Sequence, residues 1–245
     1  MSMISSGWSV VIPTIWASNR IFELIRSLDD CEHVNEVILI DNRPEAKSEI
    51  SGCSKLRVLS RGTNIFVNPA WNWGVEEACS PWVCICNDDV SFGTTVFAEV
   101  QAFLDSKPKG VVAGCHRDCF SSREEGVLIE KGHDLGFGWG CVMFCRRESY
   151  PHIPENLRIW SGDRYVIAKA RAVFAVKFPI STEMSVSSGQ SIFDDIKHSD
   201  KVLIKSLLTR WESWAVKASE RRNGGEKSVR AVTRTFFRFQ WQKLR

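Results

Sequence analysis

Residues 82–86, Trp-Val-Cys-Ile-Cys, form an apolar run that stops at once on Asn87, Asp88 and Asp89. Such a run suits a buried strand, and it carries two adjacent carboxylates to the strand's C-terminal end. In open α/β sheets that edge is where ligands bind. Neighbouring carboxylates repel one another unless a cation, a sugar hydroxyl or solvent stabilises them. A hard divalent metal bearing a substrate phosphate is the natural occupant. A solvated turn after a strand is the plain alternative, so the rest of the chain has to decide.

The surrounding pattern favours a sheet of that kind. Residues 8–13 (Trp-Ser-Val-Val-Ile-Pro), 36–40 (Glu-Val-Ile-Leu-Ile), 56–59 and 110–113 also read as strands. Between them, Ile21, Leu24, Ile25 and Leu28 keep helical spacing, residues 69–78 look helical, and Val96, Phe97, Val100, Phe103 and Leu104 share a helical face. Strands alternating with helices imply an α/β fold with a mostly parallel sheet of right-handed βαβ units. Beyond residue 114 the pattern loosens. Residues 120–131 read as a loop or hairpin, 164–171 as a helix and 172–178 as a late strand. From residue 202, Ile204, Leu207, Leu208, Trp211, Trp214 and Ala215 make one apolar helical face. Asn223-Gly224-Gly225 breaks it, and a basic helix is expected from about residue 226. The division expected is a domain over 1–200, in halves of about 1–114 and 115–200, and an appendage over 201–245.

Composition excludes little but divides the chain. No run approaches the roughly 20 apolar residues of a membrane span, and residues 1–8 do not resemble a signal peptide. The nine cysteines are scattered. Cys115 with Cys119 and Cys141 with Cys145 raise zinc as an option, yet reduced thiols in a cytoplasmic protein fit the pattern better. The net charge of +3 conceals an asymmetry: residues 201–245 hold 12 Lys or Arg against 3 Glu, and residues 1–200 hold 20 against 26 Asp or Glu.

The polar residues at strand ends converge: Thr14 after the first strand, Asp41 after the second, Asn64 after the third, Asp88 and Asp89 after the fourth. In a doubly wound sheet all of them fall on one edge. Neither a Gly-x-Gly-x-x-Gly turn nor a Gly-x-x-x-x-Gly-Lys-[Ser/Thr] loop is present, so bound phosphates would need a metal instead.

The Val10-Val-Ile-Pro13-Thr14 run, the strand ending on Asp41, Asn64 with Asn68-Pro-Ala-Trp-Asn72-Trp-Gly74, and Asn87-Asp88-Asp89 resemble the nucleotide-sugar half of GT-A fold glycosyltransferases. The likeness is to the inverting family-2 type, including rhamnosyl- and galactofuranosyl-like enzymes and small viral versions, and covers roughly residues 8–180. It implies that Pro13, Thr14, Asp41, Asn64, Asn72, Asn87 and Asp88 line the site of a UDP-, GDP- or dTDP-sugar, with Asp41 on the base. Asp89 would hold Mn²⁺ or Mg²⁺. Asn87 stands where the family's motif begins with Asp. Trp160-Ser161-Gly162-Asp163 matches the segment carrying the family's base, which makes Asp163 the group that deprotonates an acceptor hydroxyl, with Trp160, Gly162 and Trp139 on the acceptor side. A carboxylate in the first turn of a helix is favoured by the dipole in any case. The family's late metal-binding histidine has no counterpart in residues 184–191, and His198 is the nearest substitute. His116, His133 and His152 read as ordinary loop residues, and Trp71 and Trp73 as packing beside Asn72.

In the basic tail, Arg230, Arg234 and Arg238 form a stripe beside an apolar face of Val229, Val232, Phe236 and Phe239. Such a helix, within 226–245, can dock on the acidic main domain, lie on an anionic membrane near a lipid-linked acceptor, or bind nucleic acid. Docking is favoured for its complementary charge, and nucleic acid is least favoured. The activity expected is a metal-dependent, inverting sugar transfer to a carbohydrate, lipid-linked or protein-linked hydroxyl. A non-catalytic nucleotide-sugar or glycan-binding module is the main rival, and a nucleotidyltransferase the weaker one.

Overall fold

The computed structural model describes residues 7–43, 50–121, 126–132, 135, 138–183 and 191–219. The elements run β1 (Trp8–Thr14), α1 (Arg20–Asp29), β2 (Val34–Asp41), β3 (Leu56–Ser60), α2 (Val67–Glu77), β4 (Trp82–Cys86), β5 (Val90–Phe92), α3 (Val96–Asp105), β6 (Val111–Cys115), β7 (Leu128–Lys131), β8 (Val142–Arg146), α4 (Gly162–Lys169), β9 (Ala172–Lys177), β10 (Ile180–Thr182), α5 (Asp194–Leu207) and α6 (Arg210–Ser219). Eight strands form one sheet in the order β3-β2-β1-β4-β8-β6-β9-β7, and β5 and β10 form a small antiparallel ribbon.

The β1–β2, β1–β4, β2–β3 and β6–β9 pairs are parallel, so the α/β expectation holds. β8 is the exception. It runs antiparallel between β4 and β6, a placement that the order of elements along the chain does not announce. Both faces of the sheet are covered. Val10 and Ile12 pack with Ile21, Leu24, Ile25 and Leu28 of α1 and with α3, while Val11 faces Ala70, Trp71 and Val75 of α2. That is why the central strands are continuously apolar rather than alternating. Gly74 lets α2 lie close to β1, because a Cβ there would strike the Val11 side chain.

The apolar face read across residues 204–215 is interrupted. α5 ends at Leu207 and α6 begins at Arg210. Thr209 and Glu212 form a reciprocal cap: Thr209 N–H donates to Glu212 Oε2 (2.8 Å) and Glu212 N–H to Thr209 Oγ1 (3.2 Å). The helical register therefore restarts, and Glu212 and Val216 turn inward while Trp211 (61% exposed) and Trp214 (38%) turn out. Residue 200, the expected domain boundary, lies inside α5. The expected basic helix over 226–245 and His133 lie outside the described residues.

Candidate active site

The C-terminal ends of β1 and β2 lie side by side, with Thr14 in register with Asp41. Thr14 Oγ1 donates to Asp88 Oδ2 (2.6 Å) and accepts from the Trp16 backbone N–H (2.7 Å). The Trp16 indole N–H donates in turn to Asp41 Oδ1 (2.9 Å), which also accepts from the Arg43 N–H (2.9 Å). One network thus joins the carboxylates that end β2 and follow β4. Trp16, left-handed at φ 62° and stacked 5.4 Å beneath the Arg43 guanidinium, closes one side of it. Asn64 Oδ1 accepts from the Phe66 N–H (2.8 Å), shaping the loop that leads into α2.

Asp88 and Asp89 are both nearly enclosed. Burial pushes the Asp88 carboxyl up to about 6, against the Thr14 bond and with the Asp89 charge adding to it. Burial also raises Asp89, with a Thr182 hydrogen bond and Arg20 opposing and Glu183 reinforcing the shift. Antiparallel pairing of β10 with β5 sets Thr182 opposite Val90 and so brings Glu183 near. Glu183 is held by Ser18 Oγ (2.6 Å) and by Arg20 (3.5 Å). Asp89 Oδ1 is buried without a hydrogen-bond partner. Desolvated, mutually repelling carboxylates with an orphaned oxygen suit a hard divalent cation. Among the described residues, no three His, Cys, Asp or Glu side chains assemble as a ready-made metal cage.

Asp163 lies in the first turn of α4, its Oδ1 accepting from the Arg164 N–H (2.8 Å). Burial raises its carboxyl above the ordinary value, and Arg164 partly offsets this. A raised value makes the ionised form the stronger proton acceptor. Ser161 is left-handed at φ 66°, and Gly162 packs so closely on Asn68 that a Cβ would strike the amide oxygen. Gly140 also packs closely on Asp163, where a Cβ would come within 2.9 Å of the aspartate's own Cβ. Next to it, burial together with the Asp89 and Asp163 charges pushes the Cys141 thiol up to about 12. Asn87 secures the same corner, its backbone N–H donating to Cys141 O (2.9 Å) and its amide to Cys141 Sγ (3.6 Å).

The sequence profile described as Glycosyl transferase family 2 matches residues 9–172. The chain belongs to that family. No curated protein gives a significant match. Among solved structures, S. aureus TarS 1–349 in complex with UDP-GlcNAc superposes with a TM-score of 0.54 at 14% identity, over 79% of this chain and 64% of that one. The same protein in complex with UDP gives 0.53 at 15%, over 69% and 57%. A mycobacterial protein gives 0.55 at 13%, over 90% and 77%. At such identities the likeness is one of fold, the GT-A fold. The chain spans 57% to 64% of the TarS 1–349 structures.

Of the residues expected in this family-2 site, Pro13, Thr14, Asp41, Asn87, Asp88, Asp89, Gly162 and Asp163 stand on one edge and on the turn facing it. Trp160 stands beside them, half-buried, with its indole N–H enclosed and unpartnered and Lys197 Nζ 4.5 Å over its ring. Three residues are placed otherwise. Trp139 is wholly buried, packed on Gly114 with its indole N–H on Phe174 O (3.4 Å), so it is core and not a surface for an acceptor. Asn72 spends its amide on both backbone groups of Ile153 (2.7 and 3.0 Å) and on Tyr150 Oη (3.1 Å), which pins residues 150–153 to α2. His198 is exposed on α5, and the charges acting on Asp89 come instead from Glu183 and Arg20. Residues 184–190, where a late histidine was sought, lie outside the described residues. Sequence reasoning missed Trp16, Glu183 and Asp200, and named Asn68 only within the family-like stretch without a role. Only Glu183 had a local signal, a carboxylate following a short β-branched run.

Proposed function

We propose that this protein transfers a sugar from a nucleoside-diphosphate donor to a hydroxyl of a carbohydrate acceptor, with inversion at the anomeric carbon. The observation that carries the reading is the Gly140-Cys141 segment, which packs on Asp163 at Gly140 and accepts the Asn87 N–H at Cys141 O (2.9 Å), so that the Asp88-Asp89 pair at the strand ends and Asp163 meet across it. Family membership and the UDP and UDP-GlcNAc held by TarS support a nucleotide-sugar donor.

In this mechanism Asp41 and Trp16 bound the end of the crevice that takes the nucleoside. Asp89, with Asp88 beside it, would hold Mn²⁺ or Mg²⁺, which when bound supplies positive charge against the leaving diphosphate. Asp163 accepts the proton of the acceptor hydroxyl as its oxygen forms a bond to the anomeric carbon. The bond from that carbon to the diphosphate breaks, and the nucleoside diphosphate leaves with the electron pair. Attack from the opposite face inverts the centre. Trp160, half-buried beside Asp163, offers the acceptor the exposed part of its apolar ring.

The test is calorimetric titration with UDP-, GDP- and dTDP-sugars in Mn²⁺ or EDTA, on the wild type and Asp89→Ala. Metal-dependent binding of one donor, lost in the variant, is expected. Absence of binding to every donor would sink the reading. A non-catalytic binding module would bind a donor equally well but turn none over.

The outward tryptophans of α6 bear on location. Trp211 and Trp214 share a face with Arg210 and Lys217, an aromatic and basic surface suited to an anionic bilayer interface. They favour peripheral membrane contact of a cytoplasmic protein over docking of the tail on a tryptophan-rich core. No described helix is long and apolar enough to cross a membrane.

A further inference from the structure

Asp200 is the most deeply buried carboxylate among the described residues, with no exposed surface. No cation among those residues is paired with it. Its oxygens instead accept three consecutive backbone N–H groups: Arg158 on Oδ1 (3.1 Å), and Ile159 and Trp160 on Oδ2 (2.8 Å each). A buried carboxylate survives unpaired only where hydrogen bonds replace its lost hydration, so the geometry of this turn is tightly specified. Asn68 grips the same segment from α2 by its carbonyls. Its N–H donates to Arg158 O (2.9 Å) and its Nδ2 to Leu157 O (2.9 Å), while its Oδ1 lies against Gly162.

Residues 157–160 are thus held between two helices, by a carboxylate on the N–H groups and an amide on the carbonyls. Three residues later comes Asp163, reached through left-handed Ser161 and through Gly162, which has no room to shift toward Asn68. α5 also sets the Trp160 ring, through Lys197 one turn before Asp200. The far end of α4 is tied to α6 by Lys169 and Glu212 (3.0 Å). None of these bonds touches the donor edge formed by β1, β2 and β4.

We propose that Asp200, acting with Asn68, is a positioning residue for the transfer: it fixes the turn that presents Trp160 and Asp163 to the acceptor. This rests on Asp163 being the base. Displacing a catalytic group by about 1 Å can cost roughly 100-fold in rate. An amide in place of the carboxylate would set an N–H₂ group against backbone donors and release part of the turn.

The experiment compares wild type and Asp200→Asn in steady-state transfer, with the folded fraction counted from the calorimetric stoichiometry of donor binding. The expected result is a fall in kcat of about 10- to 100-fold per folded molecule with donor KM and affinity unchanged. A wild-type kcat per folded molecule, or equal loss of donor affinity, would overturn the proposal. Should Asp200→Asn not fold, hydrogen exchange on the wild type decides: the amides of residues 158–160 must be as protected as those of β1, and rapid exchange there refutes the clamp. A wild type that transfers from no donor would refute the base assignment instead, a failure that the exchange data keep separate.

Discussion

The strand-end edge proposed for the donor (the donor edge) and the turn proposed for the acceptor (the acceptor turn) reach order by opposite routes. On the donor edge, each functional side chain follows its strand directly, and neighbouring strand ends cross-link: Thr14 to Asp88, Trp16 to Asp41. On the acceptor turn, no strand leads into Asp163. The turn is held by Asn68, about ninety residues before it, and by Asp200, about forty after. A site built on strand ends inherits the rigidity of the sheet. One built on a turn needs partners brought from elsewhere, and it tolerates less change in them.

That contrast predicts where substitutions bite. The largest effect is expected from Asp163→Asn: transfer should fall by roughly 10²–10⁴ while donor affinity holds. Loss of donor binding in the same variant, read by calorimetry, would break the separation between the two sides. Next is Gly162→Ala, which drives a methyl into the Asn68 amide and should destabilise by about 1–3 kcal/mol in urea melts. A Gly162→Ala protein of wild-type stability and activity would mean the turn is looser than described.

The donor edge should reveal itself through pH. In EDTA, the raised value of about 6 for Asp88 means that the folded state holds its proton more tightly than the unfolded chain does. Stability should therefore fall as pH rises from about 4 to 6, by up to roughly 3 kcal/mol from this group. Asp88→Asn should flatten that slope, and Mn²⁺ should reduce it by taking the proton's place. A slope unaffected by either change would remove Asp88 as its source. Smallest of all, Trp211→Ser with Trp214→Ser should alter stability by no more than about 0.5 kcal/mol. The same pair should weaken sedimentation with phosphatidylserine vesicles, and unchanged sedimentation would discard the membrane face.

The same contrast explains what the sequence made legible. β1, β2 and β4 were visible because a strand buried on both faces leaves an unbroken apolar run, and Asp41, Asp88 and Asp89 were visible because such runs stop on them. Trp139 misled because an aromatic between glycines reads alike whether those glycines admit a ligand or, as Gly138 and Gly140 do here, pack on Phe120 and Asp163 while the ring goes inward onto Gly114. Trp211 and Trp214 misled because one helical register was carried across Leu208, although Thr209-Arg-Trp-Glu212 spells a capping box that restarts it. Asp200 had no local signature at all, and Asn68 was legible only as part of a family-like stretch, not in its role: the partners of both are backbone groups far along the chain, and backbone groups leave no mark in a sequence.

The antiparallel β8 has a consequence for biosynthesis. Among the described residues it is the strand that joins β4 to β6, so residues 7–115 cannot complete this eight-stranded sheet by themselves. Until residue 146 leaves the ribosome, the emerging chain carries Trp82-Val-Cys-Ile-Cys86 as an open apolar edge, a template for pairing with any other chain nearby. Fragments that end between residues 115 and 140 should accordingly aggregate, and a split of the gene at that point should yield two insoluble halves rather than a donor module and an acceptor module.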